Sequence, residues 1–497
     1  MSSENSHAQQ IRQSLKHPII DADGHWLEFG PVIAEQLEKH GGKIAVDGFR
    51  AFNGRVARAL GESGEERKRK RIAQEAFWAV PTKNTLDRAT ELLPRLLYER
   101  LDEFGIDFSV LYPTSGLGVP FHPDDQTRRA TSRAFNSFIA EFFADYSDRM
   151  TPAAVIPMHT PEEAIDELEH VKKLGLKVVM MASMVRRPIP AAANAPSAPR
   201  FATWLDMLGL DSEYDYDPVW AKCVELGISP TFHSGSRGIG LRISPSNFTY
   251  NHIGHFAAAS EAVCKAIFLG GVTRRFPTLK MAFLEGGVGW ACALYSDLIG
   301  HWKKRNREAL EEVNPANLDR PRLAQLIREY GGKWIANGIE SLDSIVAADQ
   351  NAATGGLREL DDFAACKISR AEDIRDLFAN NFYFGCEADD PSNAYAFNRK
   401  SNPYGAKLNV LFGSDIGHFD VQDMKEVVPE AYELLEEQLI TADDFRDFMF
   451  TNPVRFWGEA NPNFFKGTRV EKEAAALLAG GYRLRVVLLL PFRRECL

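Results

Sequence analysis

Pro18-Ile19-Ile20-Asp21-Ala22-Asp23-Gly24-His25 is a short apolar run that closes on an acid and an imidazole two residues apart. An apolar run of this length, stopped by a glycine, reads as a buried strand. Residues i and i+2 of a strand point to one side, so Asp23 and His25 share a face. The strand body is apolar, and the chemistry sits at its C-terminal end.

Seven further runs repeat this pattern, separated by helix-length amphipathic stretches. They lie at Ile106–Tyr112, Thr151–Met158, Gly175–Ala182, Ile228–His233, Leu279–Glu285, Asn381–Cys386 and Leu408–Phe412. Helices are expected at Leu86–Phe104, at Pro161–Lys173 behind a Thr160 N-cap, and at Asp217–Gly227 between Pro218 and a stopping glycine. Eight strands in α/β alternation match the count of a (β/α)8 TIM barrel. A doubly wound open sheet shares the alternation. Three stretches interrupt it. Pro31–Lys83 is polar, and its run Glu65–Arg71 reads as a solvated helix face. Arg186–Arg200 is rich in Pro and Ala and reads as a loop. Asn306–Asp376 reads as a helical insertion, a lid or an oligomer contact. The expected domain is a barrel over 17–460, followed by a tail over 461–497 of unassigned structure.

The 497-residue chain is 45% hydrophobic with a formal net charge of −10, enough to bury a large core and ill suited to nonspecific nucleic-acid binding. Its six cysteines form no CxxC pair, so neither a disulfide framework nor a zinc knuckle is indicated. No apolar run approaches membrane-spanning length, and residues 1–16 lack the apolar core of a secretion signal. These features lead to the expectation of a cytoplasmic protein without membrane or nucleic-acid partners, with a small-molecule substrate and a homodimer as the default assembly.

Four of the runs end on ionisable residues: Asp23 and His25, His233, Glu285, and Asp415. A parallel barrel gathers all its C-terminal strand ends on one face. Two imidazoles and several carboxylates around one point form a mixed nitrogen and oxygen set for a divalent metal. Singly, each has a plainer reading. His233 alone would be a core histidine, and Asp415 a turn residue after Gly413-Ser414.

The run IIDADGHWLE resembles the N-terminal signature of the amidohydrolase-related family, in the branch of aminocarboxymuconate semialdehyde and γ-resorcylate decarboxylases. Further segments agree: LLYERLDEFGIDFSVLYPT at Leu96–Thr114, YDPVWAKCVELGISPTFHSGS at Tyr216–Ser236, GGVTRRFPTLKMAFLEGGVGW at Gly270–Trp290, VLFGSDIGHFD at Val410–Asp420 and NPVRFWG at Asn452–Gly458. The resemblance implies a metal-dependent (β/α)8 barrel with helical insertions. It implies metal ligands at Asp23, His25, His233 and Asp415, with one divalent ion: Zn or Mn, and Fe as a further option. Such decarboxylases carry a catalytic His at the end of the sixth strand, where this chain has Glu285. His255 is the preferred substitute, with Glu285 itself the other candidate acid. Arg237 is the candidate for holding a substrate carboxylate, and His418 for lining the pocket.

Three reactions fit this pattern. Non-oxidative decarboxylation of a small carboxylated, aromatic or unsaturated substrate leads. Hydrolysis of an ester, lactone or amide, with Asp415 taking the proton of water, is the alternative. A dinuclear Fe or Mn oxygenase would follow if Glu28 and Glu285 also bound metal.

Overall fold

The computed structural model describes residues 5–75, 83–193, 202–233, 235–236, 239–314, 317–341 and 361–489. Ten strands are present among the described residues: β1 Ile20–Trp26, β2 Phe108–Pro113, β3 Met150–Ile156, β4 Val178–Met181, β5 Val185–Pro188, β6 Thr203–Asp206, β7 Pro230–Phe232, β8 Met281–Phe283, β9 Phe382–Glu387 and β10 Asn409–Gly413. Eight of them form one sheet in the order β1-β2-β3-β4-β7-β8-β9-β10, with every resolved pairing parallel. All eight coincide with the apolar runs read from the sequence.

The ends of the sheet meet. The Asp415 amide donates to the Asp23 carbonyl at 3.0 Å, and the His25 amide donates to the Ile416 carbonyl at 2.8 Å. These bonds stitch the last strand to the first, so the sheet closes into a barrel and the open doubly wound alternative is excluded. The barrel wall is apolar: Ala22, Val110, Ala154, Val179, Phe232, Phe283, Phe384 and Phe412 are all buried, and Phe283, Phe384 and Phe412 pack outward on Trp290, Phe378 and Phe448. Tyr112 donates to Thr231 Oγ1 at 3.0 Å, satisfying its hydroxyl.

Helix boundaries follow local chemistry. Pro161–Lys173 opens with a capping box between Thr160 and Glu163, and Asp217–Leu226 stops at Gly227 in the left-handed region. The stretch expected as one helix over Leu86–Phe104 is two, Thr85–Leu92 and Pro94–Arg100. Pro94 explains the break, because the residue before proline is forced out of the helical region, and Leu93 is extended.

Two excursions are more ordered than the sequence suggests. Residues 30–61 form a helix kinked at Gly42, and Gly64–Lys70 a second one. In the second, Lys68 pairs with Glu65 and Arg69 with Glu66 on an exposed face. The stretch read as a loop at Arg186–Arg200 begins in a strand: β5 and β6 pair antiparallel, fastened by Arg187 against Asp206 and the Tyr216 hydroxyl. Alternation in β5 is too short to register as a strand pattern. The rest of that stretch, residues 194–200, lies outside the described residues, as do 76–82, 342–360 and 490–497. Beyond residue 460 the chain returns to the barrel. Phe464 stacks on Trp457 at 5.3 Å, Phe465 packs edge-on to Phe108, and a helix follows over Glu471–Leu489. Among the described residues no helix is long and apolar enough to cross a membrane.

Candidate metal centre

The site is built where the barrel closes. The β1–β2 register slips by one residue between Asp21 and Gly24, a bulge that turns the end of β1. Asp21 holds that bulge. It accepts from Ser109 Oγ at 2.6 Å, from the Ser414 amide at 2.9 Å and Ser414 Oγ at 2.8 Å, and from the Asp23 amide at 3.2 Å. One buried carboxylate thus ties β1, β2 and the turn after β10. Residue 24 must be glycine, since a Cβ there would lie 2.5 Å from Asp21 Oδ2.

This frame brings Asp23, His25, His233 and Asp415 together. His25 Nε2 is 3.6 Å from Asp23 Oδ1, 3.4 Å from Asp415 Oδ1 and 3.2 Å from His233 Nε2. His233 Nε2 is 3.7 Å from Asp23 Oδ1. Donor atoms from opposite ends of the chain converge within one small volume. All four side chains are buried.

Glu285 and His418 complete the cluster. Glu285 Oε2 lies 2.8 Å from His233 Nε2, and Oε1 lies 3.9 Å from His418 Nδ1. His418 Nδ1 is 2.6 Å from Asp415 Oδ1, and its ring stacks on His25 at 3.9 Å. Both Glu285 and Asp415 have positive φ, 54° and 49°. Non-glycine residues in that region are held there by their surroundings, and such strain gathers at functional sites.

Electrostatics favours a cation. Burial pushes Asp23 and Asp415 well above the usual carboxylate range, and the charge of Glu285 adds to both. Burial pushes His25 and His233 down, and His418 down to about 3. The three imidazoles are therefore neutral and offer lone pairs, while the acids are short of positive charge. Asp23 Oδ1 is buried without a hydrogen-bond partner among the described residues, an arrangement that costs about 1–3 kcal/mol unless something fills the gap. Two overlapping groups have donor atoms within 4.8 Å of one another: Asp23, His25 and His233, and His25, Glu285, Asp415 and His418. Neutral imidazoles, carboxylates and an orphaned buried oxygen fit a divalent metal of borderline to hard character.

The sequence of residues 20–335 matches the model of the amidohydrolase family. The chain belongs to that family. A curated amidohydrolase relative, the 2-amino-3-carboxymuconate-6-semialdehyde decarboxylase of Dictyostelium discoideum, is 24% identical over 244 residues, 49% of this chain and 58% of the relative. This chain therefore matches less than two thirds of the relative's length. Among solved structures, an amidohydrolase from Mycobacterium avium subsp. paratuberculosis is 18% identical, covering 90% of this chain and 100% of its own, with a TM-score of 0.49. A 2,6-dihydroxybenzoate decarboxylase from Rhizobium is 13% identical over 89% of this chain and 98% of its own, also with a TM-score of 0.49. A dihydroxybenzoic acid decarboxylase from Polaromonas sp. JS666, solved with manganese and 2-nitroresorcinol, is 15% identical over 89% of this chain and 97% of its own, TM-score 0.49.

Glu28 and His255 fall outside the donor cluster of this amidohydrolase. Glu28 does not reach the cluster. Its two oxygens accept from the Ser115 and Gly116 amides at 2.8 and 2.7 Å, pinning the loop after β2. Glu28 therefore has a loop role, and the condition set for the oxygenase reading, Glu28 on a second ion, is not met by this geometry. His255 opens the helix His255–Leu269, packed on Phe256 at 3.8 Å and His252 at 4.8 Å. Phe256 also touches the His233 ring at 5.2 Å. Arg237 lies outside the described residues. Of the aromatic side chains on the first two strands, Tyr112 packs beneath His25 and His233, while Trp26 turns away into Phe135, Phe142 and Phe143.

Two acids escape the sequence reading. Glu387 ends β9, one residue past the run assigned to that strand, and Asp420 follows His418 by two. The charge of each raises Asp415. The rule that picks out His233 and Glu285 at strand ends finds Glu387 once the run is extended by one residue.

Proposed function

We propose that this chain uses a divalent cation at the barrel mouth to decarboxylate a small carboxylated substrate, aromatic or unsaturated, without an oxidant. The observation that carries the reading is the convergence of Asp23, His25, His233 and Asp415 on one buried point, with neutral imidazoles and an orphaned carboxylate oxygen. These four residues would hold the ion. When bound, it supplies a Lewis acid for a substrate carboxylate and a neighbouring oxygen. The name of the Dictyostelium relative supports this class of chemistry. Within the chain, Glu285 faces the cluster from the sixth barrel strand and is the group placed to hand a proton to carbon when it carries one. Arg237 is the proposed holder of a substrate carboxylate, through its planar fork of donors.

A second reading, hydrolysis, is favoured by one feature. His418 Nδ1 lies 2.6 Å from Asp415 Oδ1. In that reading Asp415 would take the proton of an attacking water, and His418 would orient its carboxylate. The deciding experiment incubates metal-loaded protein with aromatic and unsaturated acids, and separately with esters, lactones and amides. Release of CO2 that Asp415→Ala abolishes supports decarboxylation. Turnover of the neutral substrates alone would replace it with hydrolysis.

A further inference from the structure

We propose that Glu387 selects substrates that carry a positively charged nitrogen, by pairing with that group on the wall of the barrel mouth. The inference rests on the proposed carboxylated substrate held at a cation, and it names a second group on that substrate.

Strand alternation aims the side chain. In β9, Phe382 and Phe384 pack outward on Phe378 at 5.2 and 5.9 Å. The alternate residues Tyr383, Gly385 and Glu387 therefore face the inside of the barrel. Near the start of the strand, the Lys280 ammonium donates to the Tyr383 hydroxyl at 3.3 Å. Glu387 is the last residue of the strand, so it stands at the mouth. Its partner in the parallel register is Gly413, where a Cβ would lie 3.0 Å from Asp23 Cβ. No side chain at 413 screens Glu387 from the donor cluster, and its charge acts on both Asp23 and Asp415.

The carboxylate has no partner of its own. Among the described residues it takes no hydrogen bond and no ion pair. It is surrounded by protein on most sides yet keeps accessible surface, which is how a group sits on the wall of a concave site. Burial, and then the charges of Glu285, Asp420, Asp389 and Asp390, disfavour its ionised form. Asp390 is already occupied, accepting from the Ser392 amide and hydroxyl at 2.8 and 2.7 Å. A polar group so enclosed is costly unless something pairs with it.

Charge decides the partner. A cation at Asp23, His25, His233 and Asp415 offsets the carboxylates that hold it, and Glu387 lies outside that set. A substrate carboxylate entering the mouth adds a further negative charge to this wall. A substrate that also carries an ammonium relieves the conflict, with its carboxylate turned to the cation and its nitrogen to Glu387. Hydrogen bonds between two ionised groups are stronger than neutral ones, so an ammonium outranks a hydroxyl here. A few fixed polar groups of this kind are what orient a ligand in a pocket and give specificity.

The test uses the full chain loaded with Mn2+ and isothermal titration with aminomethyl-, hydroxymethyl- and methylbenzoate, in para and meta isomers. In at least one isomer series the aminomethyl acid should bind about tenfold or more tighter than the methyl acid, with the hydroxymethyl acid between them. Glu387→Gln should lower that ratio to about threefold or less, and Glu387→Asp should restore part of it. Equal affinities in both series would overturn the pairing and leave the carboxylated-substrate reading standing. A preference that survives in Glu387→Gln, or a hydroxymethyl acid that binds tightest, would also overturn it. Benzylamine keeps the two readings apart. Benzylamine that binds and is weakened by Glu387→Gln, with no acid binding at all, overturns the carboxylated-substrate reading alone. No binding of acids or benzylamine overturns both. Glu387→Ala takes the place of Glu387→Gln if the amide variant fails to fold.

Discussion

Glu285 Oε2 sits 2.8 Å from Nε2 of His233, so the carboxylate ending the sixth barrel strand is held face to face with the imidazole ending the fifth. The family resemblance of the sequence implies a histidine at this position, where the chain has Glu285. The substitution changes what the position does. An imidazole there would exchange a proton readily near neutral pH, whereas this carboxylate points into the donor cluster and can hand over a proton only in its protonated form.

Its backbone makes the position testable. Glu285 adopts φ 54°, which costs a side-chain-bearing residue about 1 kcal/mol and glycine almost nothing. Glu285→Gly should leave the metal-free protein as stable or more stable by about 1 kcal/mol, through relief of strain and removal of a crowded charge. Activity should fall by roughly a hundredfold or more. Thermal melts in chelator, set beside kcat/KM, separate the two effects. A loss of stability with full activity would show Glu285 to be a structural residue.

Asp21 has the opposite character. It touches no donor of the second group, yet it accepts four hydrogen bonds that shape the end of β1. Asp21→Ala would strand the hydroxyls of Ser109 and Ser414 and two backbone amides in a buried place. The expected cost is about 3 kcal/mol or more, seen as a lower denaturant midpoint with an unchanged slope. An unchanged midpoint would mean that water or a neighbour replaces the carboxylate readily.

The strands and most strand-end ligands are legible in the sequence because both obey periodicity. A run such as LNVLF must be buried, and whatever follows it must surface at the barrel mouth. The bulge at Asp21–Gly24 is not legible. It depends on a register slip against β2 and on bonds to Ser109 and Ser414, residues remote in sequence. Sequence places His418 in the pocket but not in the donor cluster, because the path of Ile416-Gly417-His418 after the strand is set by packing. Gly417 runs at φ 98°, close against the His25 carbonyl, and no spacing rule anticipates that approach. Three residues from His25, Glu28 could be read from sequence as a loop residue or a ligand, and only the folded loop shows that it takes the Ser115 and Gly116 amides.

Removing the cation should destabilise the fold. Asp23, Glu285 and Asp415 repel one another at close quarters, and a bound ion offsets that repulsion in the native state only. At free metal about a hundredfold above Kd, the stabilisation is about 2.7 kcal/mol. Chelator should therefore lower Tm by several degrees, with recovery on adding Mn2+ or Zn2+. Asp415→Ala should shrink the response. A Tm indifferent to chelator in the wild type would argue against any native metal site.

Glu28 offers a test on pH that is independent of metal. Burial pushes its carboxyl up from 4.5 to about 7, against the opposing pull of the Ser115 and Gly116 amides. The folded state thus binds this proton more tightly than the unfolded chain does. The resulting stabilisation is complete below the unfolded value near 4.5, and it disappears as pH rises through about 7. Its upper bound is about 3 kcal/mol, because a tenfold change in proton affinity is worth roughly 1.4 kcal/mol. Glu28→Gln cannot titrate, so it lacks this slope. The unfolding free energy of the wild type minus that of Glu28→Gln, measured by urea titration, should fall as pH rises from the unfolded value near 4.5 through about 7, and then level off. Parallel curves over that window would show that Glu28 stays ionised in the fold, with the two amides outweighing its burial.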